Sequence, residues 1–190
     1  MRPYLLRLSL MLVAVGLAGC GARKDATNQS DGGNAVEKRP LTKLQLTSTA
    51  FDDGQPIPAQ YSCDGSGQSP PLAWGEPPPA TKSFAVIVDD PDAPGGTFAH
   101  WGAYDIPASA RSITAGQSFG SQALDGFGKS GYGAPCPPKG HGPHHYRFKL
   151  YALDRDPLDV RPNAKVEEVE NEAQKHAIAQ GELIGTYERK

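Results

Sequence analysis

The chain has 190 residues, of which 38% are hydrophobic and 21% charged, and it contains 22 glycines and 18 prolines. This composition favours a mostly β domain with short strands and long loops over a helix bundle. The formal net charge of −2 excludes the basic footprint of a nucleic-acid-binding protein. The length fits one domain plus accessory segments.

Residues 1–19 have the layout of a signal peptide. Arg2 and Arg7 precede an apolar run over residues 8–17, which is too short to span a membrane and is followed by polar sequence. The segment ends in Leu17-Ala18-Gly19-Cys20, which resembles the bacterial lipobox at every position. The resemblance implies cleavage before Cys20 and attachment of diacylglycerol and palmitate, which would anchor the protein to a membrane.

The predicted anchor places the protein in the cell envelope, on the extracytoplasmic side. Gly21 follows the cysteine where Asp would indicate inner-membrane retention, so the outer membrane is favoured in a Gram-negative host. Residues 20–40 comprise the lipidated cysteine and a polar stretch with almost no large apolar side chain, which predicts a flexible tether. The folded domain is predicted over residues 41–190.

Two cysteines remain in the mature chain, Cys63 and Cys136. An oxidising compartment permits a disulfide between them, which would tie residues 61–66 to the loop over residues 131–146. Two separate buried thiols fit the same sequence equally well.

Two stretches in the first part of the domain have strand character. Residues 44–48 alternate apolar and polar side chains, as a half-buried strand does. Residues 69–74 contain two prolines and predict a loop leading into a short edge strand, because proline lacks the N–H that a central strand requires.

The run Ser83–Val88 is the most apolar stretch of the mature domain and predicts a fully buried central strand. It continues into Asp89, Asp90 and Asp92, whose carboxylates are costly to bury unless each has a partner. A second core strand is predicted over residues 98–107, with His100 near its start. We expect the acidic segment and His100 to form the rim of a site.

Residues 131–146 (GYGAPCPPKGHGPHHY) carry three of the five histidines on a backbone rich in proline and glycine. Such a segment predicts an ordered loop, because proline removes backbone donors and glycine disfavours regular structure. His144 and Tyr146 are two residues apart and share a face if the backbone is extended. Alternation then predicts a strand over residues 146–154 with one apolar face, made of Tyr146, Phe148, Leu150 and Ala152.

Residues 164–180 have apolar side chains spaced three and four residues apart, which predicts an amphipathic helix packed on the sheet. Gly181 is predicted to end this helix. His176 is expected to have a structural role. The helix is also predicted to have a solvated acidic face, made of Glu167, Glu168, Glu170 and Glu172.

Several motifs together resemble one family. They are Asp90–Pro94 (DPDAP), His100-Trp101 and Pro137–Tyr146 (PPKGHGPHHY), supported by Cys63–Gly65 and Ser69–Trp74. This set resembles the phosphatidylethanolamine-binding protein family over residues 41–190, in particular its bacterial branch, which is often labelled Raf-kinase-inhibitor-like. The resemblance implies a large β-sheet packed against a smaller sheet, with a helix near the C-terminus.

The same resemblance implies a small pocket that binds phosphate or a phosphorylated head group without a metal or other cofactor. The implied ligand contacts are Asp90, His100, Pro137, Pro138, His144 and Tyr146, with Asp92 beside them. This chain departs from the usual pattern at His145, where bacterial relatives commonly have Arg, and at Ala134, where Gly is common. The first departure bears on the positive charge at the pocket rim.

A carboxylate in an anion pocket needs an explanation, because like charges repel. Asp90 either accepts a hydrogen bond from a histidine N–H and fixes the tautomer of that ring, or it binds the ammonium of an ethanolamine-like group. For His141, a ligand role and a structural role stay equally open.

Three functions are compatible with the sequence. The favoured one is a non-enzymatic lipoprotein that binds phosphate, a phosphorylated small molecule or a phospholipid head group and thereby regulates an envelope protein, since the chain has no G-x-S-x-G elbow or P-loop. The second is an inhibitor of an envelope protease or other enzyme. The least favoured is a zinc-dependent hydrolase that uses the pocket histidines and Asp90, because His141-x-x-His144 lies in a Pro/Gly loop rather than at helical spacing.

Overall fold

The computed structural model describes residues 40–190. The predicted signal peptide, Cys20 and nearly all of the tether lie outside the described residues. Between Pro40 and Lys190, no helix is both long and apolar enough to cross a membrane. The elements in chain order are β1 (Thr42–Lys43), β2 (Leu46–Thr47), β3 (Gln55–Pro56), a 3₁₀ turn (Ala59–Tyr61), β4 (Leu72–Trp74), β5 (Ser83–Asp90), β6 (Phe98–Pro107), β7 (Ser112–Ile113), β8 (Ser121–Gln122), β9 (His144–Leu153), α1 (Val166–His176) and β10 (Ala177–Tyr187).

The strands form a large mixed sheet of seven strands and a small sheet of three, as the family resemblance implied. The large sheet has the order β1-β10-β9-β5-β6-β8, and β3 also pairs with β10. The small sheet has the order β2-β4-β7, so the prediction of an edge strand at residues 69–74 is wrong: β4 is the middle strand, and the two prolines precede it. The predicted central strand is confirmed, because β5 lies between β6 and β9 and all eight of its residues are buried.

The alternation of side chains in β5 and β9 produces two hydrophobic cores, one on each face of the large sheet. Phe84, Val86 and Val88 belong to the core that also contains Trp74 of the small sheet. Ala85 and Ile87 point the other way and belong to the core under α1. The apolar face predicted for the strand over residues 146–154 is likewise confirmed, since its members lie in the first core.

The C-terminal helix is shorter than predicted, and the prediction that Gly181 ends it is wrong. The helix ends at His176, and residues 177–187 form β10, which pairs with β9 on one edge and with β1 and β3 on the other. Gly181 instead permits close approach, because a Cβ there would lie 2.4 Å from the Leu44 carbonyl oxygen. Pairing along both edges of β10 outweighs the helical periodicity of residues 177–180.

The predicted solvated acidic face of the helix is wrong at Glu170 and at Glu172, whose side chains are each only 17% exposed. The Glu170 carboxylate accepts hydrogen bonds from Lys149 Nζ and from the Tyr151 hydroxyl at 2.8 Å. Because Lys149 and Tyr151 alternate onto the helix-facing side of β9, they supply partners that the helix sequence alone does not reveal.

Candidate functional site

A small cavity lies where the end of β5 meets the starts of β6 and β9. The antiparallel register brings these three points together, with Asp90 opposite Phe98 and Asp89 opposite Arg147. The cavity has a volume of about 210 Å³. Its lining residues are Asp90, Ala93, Pro94, Phe98, His100, Phe127, Cys136, Pro137, Pro138, His144 and Tyr146.

Six of the seven ligand-contact residues carried over from the family resemblance line this cavity, and Asp92 does not. The Asp92 carboxylate faces outward and accepts two hydrogen bonds from His145, from the backbone N–H at 2.8 Å and from ring Nδ1 at 2.7 Å. These hydrogen bonds hold the pKa of Asp92 below its usual value. His145 therefore pairs with a carboxylate at the rim, and Asp92 positions the start of β9.

The floor of the cavity contains a buried Asp–His pair. His144 Nδ1 lies 2.7 Å from Asp90 Oδ2, and both side chains are at most 4% exposed. Since an ionised carboxylate only accepts hydrogen bonds, His144 Nδ1 carries the proton in this contact. Asp90 therefore accepts a hydrogen bond from a histidine N–H, which is the first of the two arrangements considered for it. The other ring nitrogen, His144 Nε2, does not contact Asp90.

His144 Nε2 lies 3.3 Å from His141 Nδ1, a distance that permits a hydrogen bond between the two rings. His141 is exposed, whereas His144 is 2% exposed. His141 thus extends the Asp90–His144 pair towards solvent, although it does not line the cavity.

His100 is held from the opposite side by the backbone of Gly133. Its Nδ1–H donates to the Gly133 carbonyl at 2.7 Å, and the Gly133 N–H donates to the His100 carbonyl at 2.7 Å. Glycine is required here because a Cβ would lie 2.8 Å from Asp125 Oδ2. Burial lowers the pKa of His100, which favours the neutral ring with Nε2 as hydrogen-bond acceptor.

Tyr146 supplies a donor at the floor. Its side chain is fully buried, and among the described residues its hydroxyl is one of two buried side-chain polar atoms without a hydrogen-bond partner, the other being Trp74 Nε1. Burial raises the pKa of the phenol, and the charge of nearby Asp90 raises it further, so the hydroxyl stays protonated. A buried unpaired hydroxyl is costly, which marks this atom as a place where a ligand can bind.

The loop over residues 131–146 is attached to the rest of the domain by a disulfide. Cys63 and Cys136 form a disulfide, with their Cα atoms 5.4 Å apart. Of the two alternatives for these cysteines, the disulfide is therefore confirmed and the separate thiols are not. The Cys63 N–H also donates to the Pro135 carbonyl at 3.0 Å. Since Cys136 and Pro137 line the cavity, the disulfide fixes part of its wall.

Phe98 and Phe127 line the cavity but were not predicted as site residues. Their ring centroids are 4.7 Å apart, and the Phe98 ring lies 5.0 Å from that of His100. Phe127 stands in the glycine-flanked sequence Asp125–Gly128 (DGFG), where a large aromatic residue belongs to no strand or helix. That position outside any periodic pattern is the signal that could have identified it.

Two observations bear on alternative sites. Within residues 40–190, no group of three or more His, Cys, Asp or Glu side chains is arranged to hold a metal ion. A larger cleft of about 560 Å³ lies at the opposite end of β5 and β9. Its lining has mixed charge, because Lys82, Arg155 and His176 stand beside Asp154, Asp156 and Asp159, so it is not selective for an anion.

Comparisons with known proteins identify the family of the chain. The family model described as phosphatidylethanolamine-binding protein matches residues 47–188. The chain therefore belongs to the phosphatidylethanolamine-binding protein family.

Its relatives include bacterial and archaeal proteins. The chain is 43% identical to a UPF0098 protein of Aquifex aeolicus over 154 residues, covering 77% of this chain and 89% of that protein. It is 37% identical to a Mycobacterium tuberculosis protein described as a candidate lipoprotein, LppC, over 191 residues, covering 94% of this chain and 92% of LppC.

Two solved structures share the fold. One is a candidate phosphatidylethanolamine-binding protein homologue from Chlamydia trachomatis, with a TM-score of 0.72 and 40% identity over 78% of this chain and 99% of that one. The other is E. coli YbcL, described as a member of the mammalian family, with a TM-score of 0.73 and 35% identity over 78% of this chain and all of YbcL.

Proposed function

We propose that the protein is a non-enzymatic binding protein that holds phosphate or a small phosphorylated group in the cavity at the ends of β5, β6 and β9. The observation that carries this proposal is the buried hydroxyl of Tyr146, which shares the cavity with two histidines oriented by hydrogen bonds to Asp90 and Gly133. The hydroxyl can donate to an anionic oxygen of a bound phosphate, which would compete for this donor with the nearby Asp90 carboxylate.

The Asp90 carboxylate is compatible with an anion nearby because it already accepts a hydrogen bond from His144. Its hydrogen bond with His144 Nδ1 uses the charge of the carboxylate and fixes the orientation of the imidazole ring, whose Nε2 lies near His141. Neutral His100 offers the complementary group, an acceptor at Nε2. A phosphate that still carries one proton can both donate and accept, whereas sulfate at neutral pH can only accept. The cavity should therefore prefer phosphate to sulfate.

The side chains in the cavity that could act as nucleophiles in an enzyme include Asp90 and His144, and these two are hydrogen-bonded to each other, which supports binding without reaction. The lining residues within the described chain include no serine, threonine or lysine, and Cys136 is in the disulfide. We place the protein in the cell envelope, anchored through Cys20 on the extracytoplasmic side, from the lipobox and the likeness to LppC. With a Gram-negative host, Gly21 favours the outer membrane. Regulation of an envelope protein by pocket occupancy is part of this proposal.

Isothermal titration calorimetry on the full-length protein tests the binding function. We expect heat from inorganic phosphate and phosphoethanolamine, and much less from sulfate. His144→Gln should weaken phosphate binding at least tenfold, because hydrogen bonds to charged groups contribute about 1.5–3 kcal/mol. His176→Gln, on α1 and away from the cavity, is the matched control and should bind as the wild type does. A folded wild-type protein that gives no heat with any of these anions contradicts the proposal.

A further inference from the structure

One aromatic side chain at the cavity stands apart from the others. Phe127 is 58% exposed and is the one large hydrophobic residue between Pro40 and Lys190 that lies in the exposed class. Its neighbour Phe98 is only partly exposed, and Tyr146 below it is fully buried. A single exposed apolar side chain is common on protein surfaces, so its setting must decide whether it matters.

Phe127 is held in place by a hydrogen-bonded turn. Buried Asp125 accepts hydrogen bonds through Oδ1 from the backbone N–H groups of Phe127 at 2.9 Å and Lys129 at 2.8 Å. Gly126 N–H donates to the Ala99 carbonyl of β6 at 2.8 Å. A Cβ on Gly126 would lie 2.5 Å from the Phe98 ring, so the turn packs directly on that ring. The exposed phenyl ring is therefore preorganised rather than loosely placed.

The ring of Phe127 continues an aromatic wall that runs from solvent to the polar floor. It packs against Phe98 at 4.7 Å between centroids and lies edge-on to His100 at 6.4 Å. His100 in turn lies edge-on to Tyr146 at 5.2 Å. A ligand whose polar end reaches Tyr146 would extend along this wall and leave the cavity beside Phe127.

The rest of the mouth is also apolar. Ala93 and Pro94 line the cavity from the β5–β6 loop, and Pro137 and Pro138 line it from the disulfide-bonded loop. At about 210 Å³ the cavity is smaller than the roughly 300–1,000 Å³ of typical ligand pockets, so it fits a phosphate with a short organic group. A cavity with polar groups at the floor and apolar side chains nearer the mouth suits a ligand that is polar at one end and apolar at the other.

We propose that Phe127 forms an apolar subsite at the mouth of the cavity and that the preferred ligand is a phosphate monoester with an apolar or aromatic group next to the phosphate. This inference rests on the proposed phosphate-binding function and adds the ligand class. The phosphate binds at Tyr146 and the histidines, and the organic group packs on the exposed face of the Phe127 ring.

Calorimetric titrations of the full-length protein with inorganic phosphate and with phenyl phosphate test the inference. The wild type should bind phenyl phosphate about tenfold more tightly than inorganic phosphate. Phe127→Ala should lower that preference about tenfold, mainly by weakening phenyl phosphate, and Phe127→Leu should retain part of it. Lys129→Ala, in the same turn but not in the cavity lining, is the control and should retain the full preference.

The outcomes separate this inference from the proposed function. Equal affinity for the two ligands in the wild type, or an unchanged preference in Phe127→Ala, overturns the subsite while leaving phosphate binding intact. An equal loss of affinity for both ligands in Phe127→Ala also overturns it, because the ring would then affect the phosphate-binding residues and not the organic group. Failure of the folded wild type to bind either ligand overturns the subsite and the proposed function together.

Discussion

Asp89 and Asp90 are neighbours at the end of β5, yet their side chains enter opposite faces of the large sheet and meet different partners. On the helix side, Asp89 accepts hydrogen bonds from Arg147 at 2.7 and 2.9 Å and from Lys149 at 2.8 Å. Lys149 also pairs with Glu170, which accepts from the Tyr151 hydroxyl. We call Asp89, Arg147, Lys149, Tyr151 and Glu170 the helix-side network.

On the other face, Asp90, His100, His144 and Tyr146 form what we call the pocket cluster. Its members are at least as buried as those of the helix-side network, but their hydrogen bonding is incomplete. The Tyr146 hydroxyl has no partner among residues 40–190, and no hydrogen bond from His100 Nε2 is seen in that part of the chain.

The comparison teaches that burial of polar groups does not by itself indicate function. The helix-side network satisfies its charges internally and connects the sheet to α1, so its role is structural. The pocket cluster keeps a donor and an acceptor available beside a cavity, which supports the proposed binding function. Both sets draw most of their members from β5 and β9, and side-chain alternation along these two strands sends those members to opposite faces of the sheet.

Breaking the helix-side network should have the largest effect on stability. Lys149→Met removes one partner of a buried ion pair and should lower the free energy of unfolding by about 3–5 kcal/mol, measured by urea denaturation. Glu76→Gln, which breaks the exposed pair with Arg111, is the control and should cost at most about 1 kcal/mol. A Lys149→Met variant as stable as the control would contradict the structural role of this network.

Removal of the disulfide should have the next largest effect. The double variant Cys63→Ser, Cys136→Ser should lose about 2–4 kcal/mol in urea denaturation, because the bond restricts an unfolded chain across a separation of 73 residues. Adding a dithiol reductant should destabilise the wild type by a similar amount and leave the double variant unchanged. A reductant effect on the double variant would show that another process is being measured.

Two tyrosines of β9 give a matched test of the difference between the faces. Tyr151→Phe removes a hydroxyl that is bonded to Glu170, so it should lower the free energy of unfolding by about 1–2 kcal/mol. Tyr146→Phe removes an unpaired hydroxyl, so stability should be unchanged or slightly higher. Thermal denaturation of both variants measures the difference, and equal losses would mean that Tyr146 also has a protein partner.

The smallest expected effect is on the pH dependence of stability. Burial lowers the pKa of His100 below its ordinary value near 6.5, against the opposing charges of Asp90, Asp125 and Asp89. The unfolded chain therefore binds a proton at His100 more readily than the folded chain, and stability falls as the pH falls through that value. One such site contributes at most about 1.4 kcal/mol per pH unit.

His100→Gln should flatten the decline in urea midpoints between about pH 7 and pH 5, while His176→Gln should leave it in place. An identical slope in the wild type and in His100→Gln would show that His100 binds protons equally well in the folded and unfolded chains.

Local patterns in the sequence were sufficient for the centre of the fold, whereas the set of candidate ligand contacts came from motifs that resemble one family. The uninterrupted apolar run of β5 predicts a strand buried on both faces, and the structure shows it between β6 and β9. Asp90, His100 and His144 stand next to recognisable turn or proline-rich motifs, which is why they could be named before the structure was known.

Features that depend on distant partners could not be predicted. Residues 177–180 have helical periodicity, and only the neighbouring strands β1 and β9 make them a strand. Glu170 resembles its exposed neighbours on the helix until Lys149 and Tyr151 of β9 are placed against it. Phe127 became a site residue because its turn packs on Phe98, a contact between residues 29 positions apart.

The most direct test of the central claim is a phosphate titration of Tyr146→Phe beside Tyr151→Phe, followed by calorimetry at neutral pH. The account predicts that Tyr146→Phe loses at least tenfold in affinity, because a donor to a charged oxygen is removed, while Tyr151→Phe binds as tightly as the wild type. Unchanged phosphate affinity in a folded Tyr146→Phe variant would contradict the account, since the unpaired hydroxyl would then have no part in binding.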